Sequence, residues 1–303
     1  MSEEVFRIKS ITQLHELVGA PKPNHPLISV VLDEEKGDYK SIPAGTSISL
    51  NLYQIWLKSG SCGVQYGRKH YDFEEGVMTF SPPNQVMTMT DESSAEGDGG
   101  WGIFFHPDLI RTSPLGEHID DHSFFNYESH EALHLSDKEK KTLRDCVDNI
   151  IEEISDRIDD HSQRVIVSNL ELLLNYCARY YDRQFNTRTS AHKAIVTQVD
   201  DVLKKYIDKG ELSMNGQPSV NLVAERVNLS ANYLSDLLKK ETGRSAKDHI
   251  NEFLIGRAKR ALLTTQDSIS EIAYELGFNY PHYFSRLFKS KTGLTPNEYR
   301  MQN

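Results

Sequence analysis

Cysteine is scarce in this 303-residue chain: Cys62, Cys146 and Cys177 are odd in number, scattered, and form no CxxC pair. That pattern argues against a disulfide framework or a structural zinc cluster and fits a reducing compartment. No run of eighteen apolar residues occurs, so no membrane span is expected. The first residues, MSEEVFRIKS, are acidic and lack the apolar segment of a secretion signal, so a cytoplasmic protein is expected. No glycine-rich phosphate loop precedes a helix. No Ser/His/Asp or Cys/His spacing suggests covalent catalysis, and the chain is not expected to be an enzyme. Basic residues are also in deficit, with 34 Lys and Arg against 44 Asp and Glu, a net charge of −10.

That deficit is uneven. Residues 192–303 hold 16 basic and 13 acidic side chains, while the remainder holds 18 and 31. A slightly basic final third attached to an acidic majority points to one module that faces a polyanion. The acidic part would weaken non-specific DNA binding, which depends on neutralising phosphates. The length implies two domains, and 38% hydrophobic with 26% charged residues suits a globular protein.

Residues 28 to about 110 read as short strands. Ile48, Leu50 and Leu52 alternate with Ser47, Ser49 and Asn51, and glycines 60, 63, 67 and 76 punctuate runs such as Gly76–Phe80. A sandwich or small barrel is expected. The stretch 91–100 is acidic and glycine-rich and reads as a loop. From Ser136 the period becomes helical, opening with the capping box Ser136-x-x-Glu139. A second helix begins near Ser162 and carries Val165, Ile166, Leu170, Leu173, Leu174, Cys177 and Tyr181. This wide apolar stripe packs on the β domain or forms part of a dimer seam. Residues 186–192 are short and polar and read as a linker.

The last hundred residues contain a degenerate repeat. Tyr233-Leu-Ser-Asp-Leu-Leu-Lys239 precedes Gly243, and Tyr283-Phe-Ser-Arg-Leu-Phe-Lys289 precedes Gly293. Upstream, Leu222–Leu229 aligns with Glu271–Phe278. Each copy reads helix, tight turn, helix, the minimum apparatus for entering a DNA major groove. Asn228 and Gly277 hold equivalent turn positions and tolerate positive φ, while Gly243 and Gly293 fall where helix caps are needed. In the second helix of each copy, the spacing i, i+1, i+4, i+5 buries Tyr233, Leu234, Leu237 and Leu238, and likewise Tyr283, Phe284, Leu287 and Phe288. The opposite face presents Asn232, Ser235, Asp236 and Lys239 in one copy and His282, Ser285, Arg286 and Lys289 in the other. Arg pairs with guanine, Asn with adenine and Asp with the cytosine amino group. The two lysines, one turn further along, suit phosphates. Between the copies, Ser245–Thr264 reads as one helix of about 30 Å, close to the roughly 34 Å of a B-DNA turn. It would hold two reading heads in successive grooves.

Residues 193–300 resemble the AraC/XylS-type DNA-binding domain. The resemblance is carried most densely by Ile272-Ala-Tyr-Glu-Leu-Gly-Phe278, Tyr283–Lys289 and Gly293-Leu-Thr-Pro-Asn-Glu-Tyr-Arg300. The first two thirds are similar only in outline to the regulatory half of such proteins. The resemblance implies a multidomain α+β chain. Residues 1–135 would form a cupin-like β-barrel that senses a small molecule, and 136–185 a helical dimerisation or connector segment. Residues 186–192 would be the linker, and 193–303 an all-α domain with two helix-turn-helix units. It further implies a transcriptional regulator, commonly an activator, that binds double-stranded DNA and engages RNA polymerase, with a homodimer as the assembly. Asp236 departs from the basic or amide residue frequent at its position.

Within the first domain, Trp56, Tyr66, His70, Trp101, Phe104 and His106 are candidates for lining an effector pocket, since aromatics supply area and an orienting polar tip. A cupin metal site would need clustered His and carboxylate ligands. Only His70, Glu74 and Glu75 lie near such a spacing, and Met87 stands where a ligand histidine would be expected, so no metal and no cofactor are expected. Two other readings remain open: a metal-dependent cupin enzyme with an accessory DNA domain, and a constitutive DNA-binding protein whose barrel only dimerises.

Overall fold

The structure, a computed structural model, describes residues 5–32, 40, 42–43, 45–58, 76–88, 100–156 and 158–302. The chain divides into two compact units, Met1–Gln184 and Phe185–Asn303.

The first unit combines strands and helices. Its strands are β1 (Val5–Ile8), β2 (Ile28–Leu32), β3 (Ser47–Leu50), β4 (Tyr53–Lys58), β5 (Gly76–Ser81), β6 (Val86–Thr88), β7 (Trp101–Phe105) and β8 (Leu133–Leu135). Helix α1 (Ile11–Val18) follows β1, α2 (Pro114–His118) follows β7, and α3 (Asp137–Ser155) and α4 (Ser162–Thr187) close the unit. Among the described residues the strands make two open sheets, β1-β3-β6 and β2-β7-β4-β5-β8, rather than a closed barrel. The period of two holds in β3, where Ile48 and Leu50 join Ile11, Leu14, Leu52 and Phe104 in one core. Ser47 and Ser49 are buried as well, and the Ser47 and Thr88 hydroxyls lie 3.0 Å apart across the β3–β6 pair. A hydroxyl that finds a cross-strand partner can sit in a sheet interior where an unpaired one could not.

Strand parity in the five-stranded sheet decides which side chains meet. Leu57 pairs with Trp101 and Met78, and Ile55 with Ile103 and Phe80, so these share one face. Helix α4 covers that face: the Cys177 thiol lies 3.8 Å from the Met78 sulfur, and the Tyr181 and Phe80 rings are 6.2 Å apart. Ile166, Leu170, Leu173, Leu174, Cys177 and Tyr181 are all buried within the chain. The packing alternative for the α4 stripe therefore accounts for every member except Val165, which is exposed along with Leu172. The capping box of α3 forms as expected, with the Ser136 amide donating to the Glu139 carboxylate at 2.9 Å.

The second unit is wholly helical: α5 (Thr189–Asp208), α6 (Glu211–Asn215), α7 (Val220–Arg226), α8 (Ala231–Thr242), α9 (Ala246–Thr264), α10 (Ile269–Glu275), α11 (Pro281–Thr292) and α12 (Pro296–Gln302). One core runs through it, from Leu203 and Tyr206 through Val223, Leu234, Ile250 and Leu254 to Ile272, Phe284 and Phe288. The expectation of a polar linker at 186–192 is corrected here. Helix α4 runs to Thr187, α5 begins at Thr189, and Arg188 alone interrupts them. The polar composition concealed two buried anchors, Phe185 and His192, whose rings lie 5.1 and 6.5 Å from that of Tyr233.

Candidate nucleic-acid interface

Two helix-turn-helix units are built by matching local chemistry. In the first, the Ser219 hydroxyl caps α7 by accepting from the Leu222 amide at 3.2 Å. Asn228 then turns the chain at φ +57, and the amides of Asn228 and Leu229 donate to the carbonyls of Glu225 and Ala224, each at 3.0 Å. Ser230 opens α8 by accepting from Tyr233 at 3.1 Å. In the second, Ser268 and Glu271 form a reciprocal capping box on α10. Gly277 turns at φ +74, and the amides of Gly277 and Phe278 donate to Tyr274 and Ala273, each at 2.9 Å. The duplication thus extends to individual turn hydrogen bonds. Both second helices end on a left-handed glycine, Gly243 at φ +72 and Gly293 at φ +82. Lysines 239, 240, 289 and 291 lie in their last turns, where the helix dipole favours cations.

The outward faces are close to those the repeat implies. Asn232 and Lys239 of α8 are exposed, and Ser235 and Asp236 are half-buried. On α11, His282, Arg286 and Lys289 are exposed and Ser285 is half-buried. Ser235 has an internal task that spacing did not reveal: its hydroxyl accepts from the Ala246 amide at 3.4 Å, tying α8 to the start of α9. The buried stripe holds in full for α8, where Tyr233, Leu234, Leu237 and Leu238 are buried. On α11 only Phe284 and Phe288 are buried, Leu287 is partly so, and Tyr283 is 48% exposed. The expectation that Tyr283 belongs to the core is therefore corrected.

Helix α9 is continuous over 19 residues, about 28 Å at 1.5 Å per residue. Its first turn is fixed to the end of α11, because the Lys291 ammonium lies 2.9 Å from the Asp248 carboxylate. Hydrogen bonds from Lys291 and Ser245 hold the Asp248 carboxyl below the ordinary carboxylate range. Its far end is held by Arg300 of α12, which donates to the carbonyls of Leu262 at 3.2 Å and Asp267 at 2.7 Å. The sequence alone did not reveal these ties of Asp248, Lys291 and Arg300. Arg300 ended the resembling motif and was the one signal available.

Among the described candidates for an effector pocket, Trp56 and Trp101 do not share one face of the sheet. Tyr66 and His70, with Glu74 and Glu75, lie outside the described residues. Trp101 is fully buried on the helix-covered face of the five-stranded sheet, whereas Trp56 and Phe104 occupy the other face, with ring centroids 5.1 Å apart. Trp56 lies so closely on Gly102 that a Cβ there would come within 2.6 Å of its ring. His106 accepts from the Asp108 amide at 3.2 Å and sits 3.1 Å from the Asn51 amide, a capping role. Strand parity thus separates Trp101 from Trp56 and Phe104. A groove of about 350 Å³ lies elsewhere, between Pro82–Gln85 and Phe125–Glu128. Among the described residues, no three His, Cys, Asp or Glu side chains come together as a metal site.

Residues 223–302 match the family model described as a helix-turn-helix domain. Over 82 residues, 27% of this chain and 48% of the relative, the chain is 37% identical to an HTH-type transcriptional regulator of Pseudoalteromonas carrageenovora. Over 163 residues, 54% of this chain and 56% of the relative, it is 24% identical to the HTH-type transcriptional activator RhaS of Mannheimia succiniciproducens. A solved transcriptional regulator of AraC-type DNA-binding domain from Chromobacterium violaceum is 24% identical, with 37% of this chain and 95% of that one covered and a TM-score of 0.33. The chain spans about half the length of these two curated relatives.

Proposed function

We propose that this chain is a regulator of the AraC type that binds double-stranded DNA in a sequence-dependent way and regulates transcription, a reading supported by the match of residues 223–302 to a helix-turn-helix domain. The observation that carries the reading is the pair of helix-turn-helix units on one core, each with an outward polar face. Asn232, Ser235 and Asp236 in the first unit and His282, Ser285 and Arg286 in the second are assigned to base edges, and Lys239 and Lys289 to phosphates. Helix α9 is the brace that spaces the two heads along one face of the duplex.

The two-sheet unit is read as a cupin-like sensor of a small molecule, with the α3–α4 segment as connector. A homodimer is assigned to the exposed Val165 and Leu172 on α4. Activation is assigned by likeness to the relative named as a transcriptional activator, with contact to RNA polymerase as the proposed means. An effector acts only if it binds one state of the protein better than the other.

The test is enrichment of a random-sequence duplex library by the purified full chain at low ionic strength. Recovery of a shared motif with two half-sites about one helical turn apart supports the reading. Binding that vanishes with modest salt and prefers no sequence overturns it.

A further inference from the structure

The internal repeat supplies its own control. Tyr233 and Tyr283 occupy the same place in their helices, three residues ahead of Asp236 and Arg286. Tyr233 is 5% exposed, roofed by the Phe185 ring at 5.1 Å and the His192 ring at 6.5 Å. Tyr283 is 48% exposed. The Arg286 guanidinium carbon lies 5.2 Å from its ring centroid, and the His282 and Tyr280 rings flank it at 4.3 and 5.8 Å. Tyr280 itself is 58% exposed.

An aromatic ring left in water forgoes the burial that its twin obtains. What Tyr283 has instead is a planar cation on its face. Residues three apart on a helix share a face, and a guanidinium stacks on an aromatic ring where an ammonium would not. Reading guanine bidentately requires both arms of the arginine fork in one plane, aimed outward. A long arginine side chain in free solution samples many rotamers, and a stacking surface removes most of them before DNA arrives.

We propose that Tyr283 is a positioning residue for base reading: it holds the Arg286 guanidinium in a presented orientation, and discrimination by the second reading head depends on that stack. In the first unit the same tyrosine is spent on packing, and the residue three positions on is an acid that cannot stack in this way. The proposal rests on the DNA-binding reading above.

The test uses the full chain and the duplex that the wild type enriches from a random library, together with every single-base-pair variant of that duplex. Affinities are measured for wild type, R286A, Y283L, Y283F and the Y283L/R286A double variant. R286A is expected to flatten preference at one base pair. Y283L should cut preference at that same base pair roughly two- to five-fold, the worth of an exposed cation–π contact. The salt slope should not change, since no charge is lost. Y283F keeps the ring and should keep the preference. The double variant should be no flatter there than R286A alone. A Y283L profile that matches wild type, or one lowered equally for all duplexes, overturns the positioning role, as does an R286A that flattens no position. Failure of the wild type to enrich any motif is a different result, and it removes the DNA-binding reading together with this inference.

Discussion

Gly277 and Gly216 meet backbone to backbone. A Cβ on Gly277 would stand 2.8 Å from the Gly216 carbonyl carbon and 2.9 Å from the Gln217 nitrogen. Gly277 forms the turn of the second helix-turn-helix, and Gly216 ends α6, just ahead of the first. The Tyr206 hydroxyl donates to the Gly216 carbonyl at 3.0 Å and pins the same point. The two units are thus keyed to each other through a contact that admits no side chain.

Gly277→Ala is expected to destabilise the helical unit by about 2 kcal/mol or more, combining left-handed strain with overlap against backbone that cannot give way. Asn228→Gly, at the equivalent turn with φ +57, should change stability by less than about 1 kcal/mol. Denaturant titration of both variants checks this. Equal losses would mean that the close approach contributes nothing.

What could be read from sequence was what is local. The left-handed turns at Asn228 and Gly277, the glycine ends of α8 and α11, the Ser136 capping box and the length of α9 are fixed by neighbours within four or five residues. What could not be read depends on distant packing. Phe185 and His192 sit in a polar stretch and are buried only because α8 comes to meet them. Tyr233 and Tyr283 are the same residue in the same motif, and only the presence or absence of that cover separates their fates. Trp56 and Trp101 looked like pocket partners until strand register placed them on opposite faces. Gly102, paired with Trp56 across β4 and β7, carried that information but could not be interpreted without the pairing.

Arg286 and Lys239 should behave differently when removed. Arg286→Ala is expected to cost about 1–3 kcal/mol on the preferred duplex and to relax preference at one base pair. Lys239→Ala should weaken all duplexes alike and flatten the salt dependence by about one contact. Titrations at several salt concentrations on specific and scrambled duplexes separate the two patterns. A uniform loss for Arg286→Ala would reassign it to the phosphate backbone.

Phe284 tests the single core. Its ring is fully buried, 5.3 Å from Phe278 and 5.8 Å from Phe288, in the cluster that also holds Leu234 and Leu238 of the first unit. Phe284→Ala should cost about 3–5 kcal/mol and lower one shared unfolding transition for α5–α12. Tyr283→Ala, one residue away but exposed, should cost less than about 1 kcal/mol. Calorimetry that shows the second helix-turn-helix melting alone would break the picture of one core.

His192 predicts how acid acts on the helical unit. Its ring is buried beside Phe185 and Tyr233, with Nδ1 3.8 Å from the Glu241 carboxylate. Burial pushes its pKa below the ordinary 6.5; Glu241 opposes that shift, and Arg188 adds to it. With the folded pKa below the unfolded one, the unfolded chain takes up a proton first as pH falls. Stability is therefore undiminished above about pH 6.5, declines as pH drops through that value toward the folded pKa, and levels off below it. His25 and His122 are also lowered by burial but lie in the other unit. His192→Gln should remove part of the decline from the transition of the helical unit, and urea midpoints at about pH 7.5 and about pH 5.5 measure it. A variant that loses as much stability as the wild type between those two values would show that another group takes up the proton.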